Sequence, residues 1–179
     1  KGGIRMSEEI FGAVQKLPVN GTKKQVVLQC APLLTGIKLS NLLNVRADQK
    51  EEVFRIFEGS PVCCRVLYEF QGRLSILLYR PGMLAAYLER EDVKKMMTSF
   101  GYENPDLEET LNRIADAYQD HMNGKRGFPH EIGLVLGYPP VDVEGFIEKE
   151  GRDFLYSGYW KVYGNLEDTL KTFEGEQSD

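Results

Sequence analysis

The sequence predicts an α+β fold: a small, mainly antiparallel sheet of three to four strands, packed against several helices that lie on one side. Three observations lead there. The β-rich runs Cys64–Phe70 and Arg73–Tyr79 flank Gln71-Gly72, and two such runs around a two-residue turn ending in Gly make a hairpin. Asn104-Pro105 opens the clearest helix, with Leu107, Leu111, Ile114, Ala115 and Tyr118 on one face. Helical and strand segments do not alternate regularly, which argues against a doubly wound parallel sheet.

From the N-terminus, Ser7–Lys16 is expected as a short helix, with Ile10, Phe11 and Val14 on one face. Gln25–Cys30 carries Val26, Val27 and Leu28 and reads as a strand that Pro32 interrupts. Leu33–Leu43 reads as a turn leading into a helix. Glu51–Phe57 follows as a helix with Val53, Phe54 and Phe57 inward, closed by Gly59, Ser60 and Pro61.

After the hairpin, Pro81-Gly82 breaks the strand, and Met83–Glu89 and Glu91–Ser99 read as helices with Gly101 as the stop. In the long helix Asn104 caps, Pro105 takes the first turn, and Asp106, Glu108 and Glu109 suit the positive end of the dipole. Pro129–Leu136 and Pro140–Lys149 are two shorter helices. Phe154–Tyr163, with five aromatic residues, reads as one strand, and Leu166–Phe173 as a last helix before a frayed acidic tail at 174–179.

A chain of 179 residues fits one domain with a core that needs no staples. Met6 is a candidate start, which makes residues 1–5 an upstream extension. Lys and Arg total 22 against 27 Asp and Glu, a net charge of -5, which disfavours nucleic acid and anionic membrane as partners. No apolar run is long enough to span a bilayer, and the N-terminus lacks a charged-then-apolar signal pattern. Cys30, Cys63 and Cys64 are an odd set, and adjacent Cys63 and Cys64 in a strand point to opposite faces. Reduced thiols and a cytoplasmic location are expected.

Two long segments carry a resemblance. Phe128-Pro-His-Glu-Ile-Gly-Leu-Val-Leu-Gly-Tyr-Pro139, with Asp142-Val-Glu-Gly-Phe-Ile147 after it, is one. Gly158-Tyr-Trp-Lys-Val-Tyr163 is the other. Together they resemble the C-terminal signature of a family of uncharacterised small proteins from clostridia and related anaerobic bacteria. Cys30-Ala-Pro-Leu-Leu-Thr-Gly36 and Leu78-Tyr-Arg80 fit the same pattern. The resemblance covers most of the chain and implies no activity, cofactor or catalytic residue.

The residues themselves suggest candidates. Cys30, with His130 as base and Glu131 as orienter, is the constellation a thiol nucleophile needs. The alternative makes Cys30 a core residue, with His130 and Glu131 capping a helix. Lys125 and Arg126 sit between Gly124 and Gly127 just before a helix start, where an anion is held by amides and cations, or where a connector is simply solvated. Tyr159, Trp160 and Lys161 lie in the aromatic segment, one face of which is expected as core and the other as the wall of a pocket or a subunit interface.

Metal binding is not expected. His121 and His130 are the two histidines, and neither C-x-x-C nor H-E-x-x-H spacing occurs. Neither standard nucleotide loop is present. Glu131–Ile147 has the outline of a helix-turn-helix, yet its second helix offers Asp142, Glu144, Glu148 and Glu150 against Lys149 alone, the wrong charge for a polyphosphate. The residues therefore favour a small-molecule binding or thiol-assisted enzymatic domain, with no cofactor specified. The competing class is an interaction or regulatory module, a homodimer through the aromatic strand being its simplest form.

Overall fold

The computed structural model describes residues 22–148 and the backbone of two dipeptide strands, 156–157 and 161–162. The helices expected at Ser7–Lys16 and Leu166–Phe173, and the tail at 174–179, lie outside the described residues. In chain order the elements are α1 (Thr22–Leu34), β1 (Ser40–Arg46), a 3-10 turn (Ala47–Gln49), α2 (Lys50–Phe57), β2 (Cys63–Phe70) and β3 (Arg73–Tyr79). They continue with α3 (Pro81–Leu88), α4 (Glu91–Ser99), α5 (Leu107–Met122), α6 (Glu131–Val135), α7 (Pro140–Glu148), β4 (Tyr156–Ser157) and β5 (Lys161–Val162).

The sheet is antiparallel, with strand order β1-β3-β2. Ile76 at its centre faces Leu43 on one side and Val66 on the other. The hairpin joining β2 to β3 turns at Gln71 (φ 48°) and Gly72 (φ 75°), both left-handed, as a turn matched to the right-handed twist of its strands requires. A bulge between Val66 and Tyr68 interrupts the edge strand β2.

β3 is buried from Leu74 to Tyr79. Side chains alternate across a strand, so this run serves two faces. Leu74, Ile76 and Leu78 pack with Val26, Cys30 and Leu33 of α1 and with Val53 and Phe57 of α2. Leu77 and Tyr79 pack with Leu84, Met97, Leu111, Ile114 and Leu134 from the later helices. Helices therefore cover both faces of the sheet, not one. Each fully buried Leu or Ile contributes about 1.5–3 kcal/mol by leaving water, and β3 supplies such residues to both sides.

Five local expectations are corrected. Residues 25–30 are helical, inside α1. Val26, Cys30 and Leu33 recur at helical spacing and share one buried face, and this tertiary burial outweighs the β-branched look of Val26-Val27. Pro32 sits in the last turn, where its carbonyl accepts the amides of Ile37 and Lys38. Arg80 reaches across to donate to Leu33 O at 2.8 Å and Leu34 O at 2.7 Å, satisfying carbonyls that a helix end leaves open.

Second, Ser40–Arg46 is a strand, where Leu33–Leu43 is expected as a turn leading into a helix. Leu42 and Leu43 are neighbours that face opposite cores, which hides the period-two pattern. Third, α5 starts later than expected. Asp106, not Asn104, is the cap, and its Oδ1 accepts Glu109 N at 2.7 Å. Fourth, Phe154–Tyr163 is not one strand. Tyr156 pairs with Val162 and Ser157 with Lys161, so the chain reverses between them. Phe54 also departs from its expected inward position: it is 37% exposed, with the Lys50 ammonium 5.8 Å from its ring centre.

Candidate functional site

The turn that closes α4 runs through Gly101, whose φ of 93° suits glycine and swings the following Tyr102 inward. Tyr102 N is bonded to Met97 O at 3.0 Å, and the side chain is only 4% exposed. Its hydroxyl donates to Oε1 of Glu131 at 3.0 Å. Glu131 opens α6 and is 3% exposed. The Arg126 guanidinium stands 3.9 Å from the same oxygen. Arg113 stacks on the Tyr102 ring at 4.1 Å and donates to Gly101 O at 2.9 Å. A buried carboxylate is costly unless bonded and paired, and Tyr102 and Arg126 supply both. Burial, and then the Glu131 charge, push the Tyr102 phenol well above its ordinary value, so it remains a donor.

Beside Glu131, His130 lies between two aromatic rings. Its ring centre is 5.5 Å from that of Phe128 and 5.6 Å from that of Phe146. Its Nδ1 is buried and makes no hydrogen bond among the described residues. Burial lowers the His130 pKa below its usual 6.5, with Glu131 opposing. His121 also meets Phe128, edge-on at 5.4 Å, and its Nδ1 lies 3.3 Å from Arg126 O.

Tyr102 also forms part of the wall of a cleft of about 100 Å³ between α3, α4 and the start of α5. Its apolar lining comes from Ala85, Leu88, Met97 and Leu107. Glu89, Lys94 and Asp106 bring charge to it, and the Lys94 ammonium pairs with Glu89 Oε2 at 3.3 Å. Thr110 also lines it, its hydroxyl donating to Asp106 O at 2.8 Å. An apolar hollow with a few placed polar groups is the usual form of a small-ligand site.

The expected site residues divide. Glu131, His130 and Arg126 come together, and Lys125 is exposed on the loop beside them. Cys30 does not join them. Asn41 of β1 donates to Cys30 Sγ at 3.7 Å, whereas the preceding Ser40 donates to Val135 O at the end of α6. Successive strand residues point to opposite faces, so the sheet stands between Cys30 and His130. Cys30 is 0% exposed, and burial pushes its thiol up to about 12, with the Asn41 contact opposing. Tyr159 and Trp160 lie outside the described residues, and Lys161 is placed only as backbone paired with Ser157.

Asp142, expected on the outer face of a recognition-like helix, is instead buried at 1% exposure, while Glu144 and Glu148 are exposed. Among the described residues, no three His, Cys, Asp or Glu side chains come together as a metal site would need. No helix among them is long and apolar enough to cross a membrane. Tyr102 and the cleft were not anticipated. The available signal was an aromatic residue directly after a helix-ending glycine, but its carboxylate partner is 29 residues away.

These features define an α+β domain in which an antiparallel three-stranded sheet lies between helices on both faces, with a buried Tyr–Glu pair beside a small cleft. The chain belongs to the family described as Protein of unknown function (DUF3793), whose sequence model matches residues 26–178. No curated protein and no solved structure matches it.

Proposed function

We propose that this chain is a cytoplasmic small-ligand-binding domain and that the cleft walled by Tyr102 is its binding site. The observation that carries the reading is the cleft itself: an apolar hollow of about 100 Å³ ringed by Glu89, Lys94 and Asp106. Its wall is preorganised, because Tyr102 is fixed at its hydroxyl by Glu131 and on its ring by Arg113. Rigid walls lower the ordering cost of binding. Cys30 enters this reading as a core residue of the opposite face. Its zero exposure and raised pKa support that role over a nucleophilic one. A reducing compartment suits the three free thiols. Nucleic acid is excluded from the reading by the chain's net charge of -5.

The test is a fragment screen by NMR on the full chain and on Ala85→Leu, which places three further carbons in the hollow. The expected result is fragments that saturate signals around Ala85, Met97 and Tyr102 in the wild type and lose that effect in the variant at unchanged Tm. Fragments that bind both proteins equally, or none that reach these signals, would reject the site.

A further inference from the structure

We infer that the ligand of this cleft is a short aliphatic primary amine, bound as its ammonium ion. The inference rests on the small-ligand reading of the cleft and names the class of molecule that fits it. Shape sets the body. About 100 Å³ is smaller than the roughly 150 Å³ apolar cavity that holds benzene, so the hollow suits a small ligand of about five heavy atoms, such as a four-carbon chain with one polar head. Ala85, Leu88, Met97 and Leu107 offer such a chain only carbon and sulfur contacts.

Charge sets the head. Two carboxylates, Glu89 and Asp106, and one ammonium, Lys94, line the cleft, a formal sum of -1. Lys94 is already paired with Glu89, so an incoming anion meets the repulsion of that carboxylate beside it. Asp106 caps α5 through Oδ1, and an ammonium at its carboxylate would form a charge-assisted hydrogen bond. In the adjoining stretch from Glu103 to Glu109, Glu108 is paired with Arg65, which leaves Glu103, Asp106 and Glu109 as its acidic groups. Its field draws cations and repels anions. A neutral alcohol of the same length gains the apolar contacts but not the charge term. The three head groups therefore rank amine, alcohol, carboxylate.

The experiment titrates the full chain with n-butylamine at pH 7, with 1-butanol and with butanoate, following the Ala85 and Met97 methyl signals. Butylammonium is expected to saturate at a Kd about twofold to tenfold below that of butanol, the range that a modest net hydrogen bond at an exposed carboxylate gives. Butanoate is expected to bind more weakly than either. Asp106→Asn keeps a capping side chain and is expected to bring the amine down towards the affinity of butanol, while an unchanged Tm shows that the variant is folded. Butanol or butanoate binding as tightly as the amine, or an amine affinity unmoved by Asp106→Asn, overturns the assignment while leaving the cleft as a ligand site. If none of the three compounds shifts these signals, the assignment and the small-ligand reading fail together.

Discussion

Tyr102 and Glu131, 29 positions apart, meet through one 3.0 Å hydrogen bond that joins the end of α4 to the start of α6. Both are almost wholly buried, so neither has water as a substitute partner. Tyr102→Phe removes the donor and leaves the carboxylate with Arg126 at 3.9 Å as its nearest compensation. The expected cost is about 1–3 kcal/mol, the penalty of a buried polar group left short of a bond. At about 2–4 °C per kcal/mol for a chain of this size, Tm falls by about 2–12 °C. Thermal melting measures it, and an unchanged Tm would show that the hydroxyl carries no stability.

His130 gives the fold a dependence on mild acid. Its folded pKa lies below the unfolded value near 6.5, because burial between aromatic rings disfavours the charged form. The unfolded chain therefore binds this proton more readily than the folded one. Stability from this residue is complete above about pH 6.5 and is lost as pH falls towards the folded pKa. The denaturation midpoint of the wild type should drop between pH 7.5 and 5.5, and His130→Gln should flatten that drop. An identical pH slope in the variant would assign the effect elsewhere.

The thiols should separate by reactivity. Cys63 is exposed, Cys64 is half-buried with its pKa pushed up to about 11 by burial, and Cys30 is enclosed with its pKa up to about 12. Alkylation at pH 8 followed by peptide mass mapping should modify Cys63 first, Cys64 more slowly, and Cys30 only in denaturant. Rapid native labelling of Cys30 would revive it as a candidate nucleophile.

Gly137 closes the turn between α6 and α7 at φ 83°, and a Cβ there would meet Leu39 Cγ at 3.3 Å. Gly59 has a similar φ of 73° but nothing within 4 Å. Ala at either position carries the left-handed penalty of about 1–2 kcal/mol. Gly137→Ala should therefore cost more than Gly59→Ala by chemical denaturation, the excess being the strain on Leu39. Equal losses would mean that Leu39 moves aside freely.

How much of this was legible follows from the range of each interaction. The β2–β3 hairpin was readable because Gln71-Gly72 specifies its own turn between two β-rich runs. α5 was readable because its apolar spacing and acidic first turn are local. α1 was misread since Val26-Val27-Leu28 carries strand character, and only packing on the sheet decides for helix. β1 was missed because burial on both faces erases alternation at Leu42-Leu43. At the site, Glu131, His130 and Arg126 lie within one short segment and could be grouped by eye. Tyr102 belongs with them only through tertiary structure, and nothing in the spacing of Cys30 shows that a sheet would stand between it and His130.

The shared central strand has a consequence for how the molecule comes apart. Leu74, Ile76 and Leu78 hold α1 and α2, while Leu77 and Tyr79 hold the later helices, yet all five hang on one backbone segment. Detaching either helical layer exposes the strand on which the other depends. The two layers are therefore expected to melt in a single cooperative transition, with the amides of β3 exchanging through that global opening, which native-state hydrogen exchange measures.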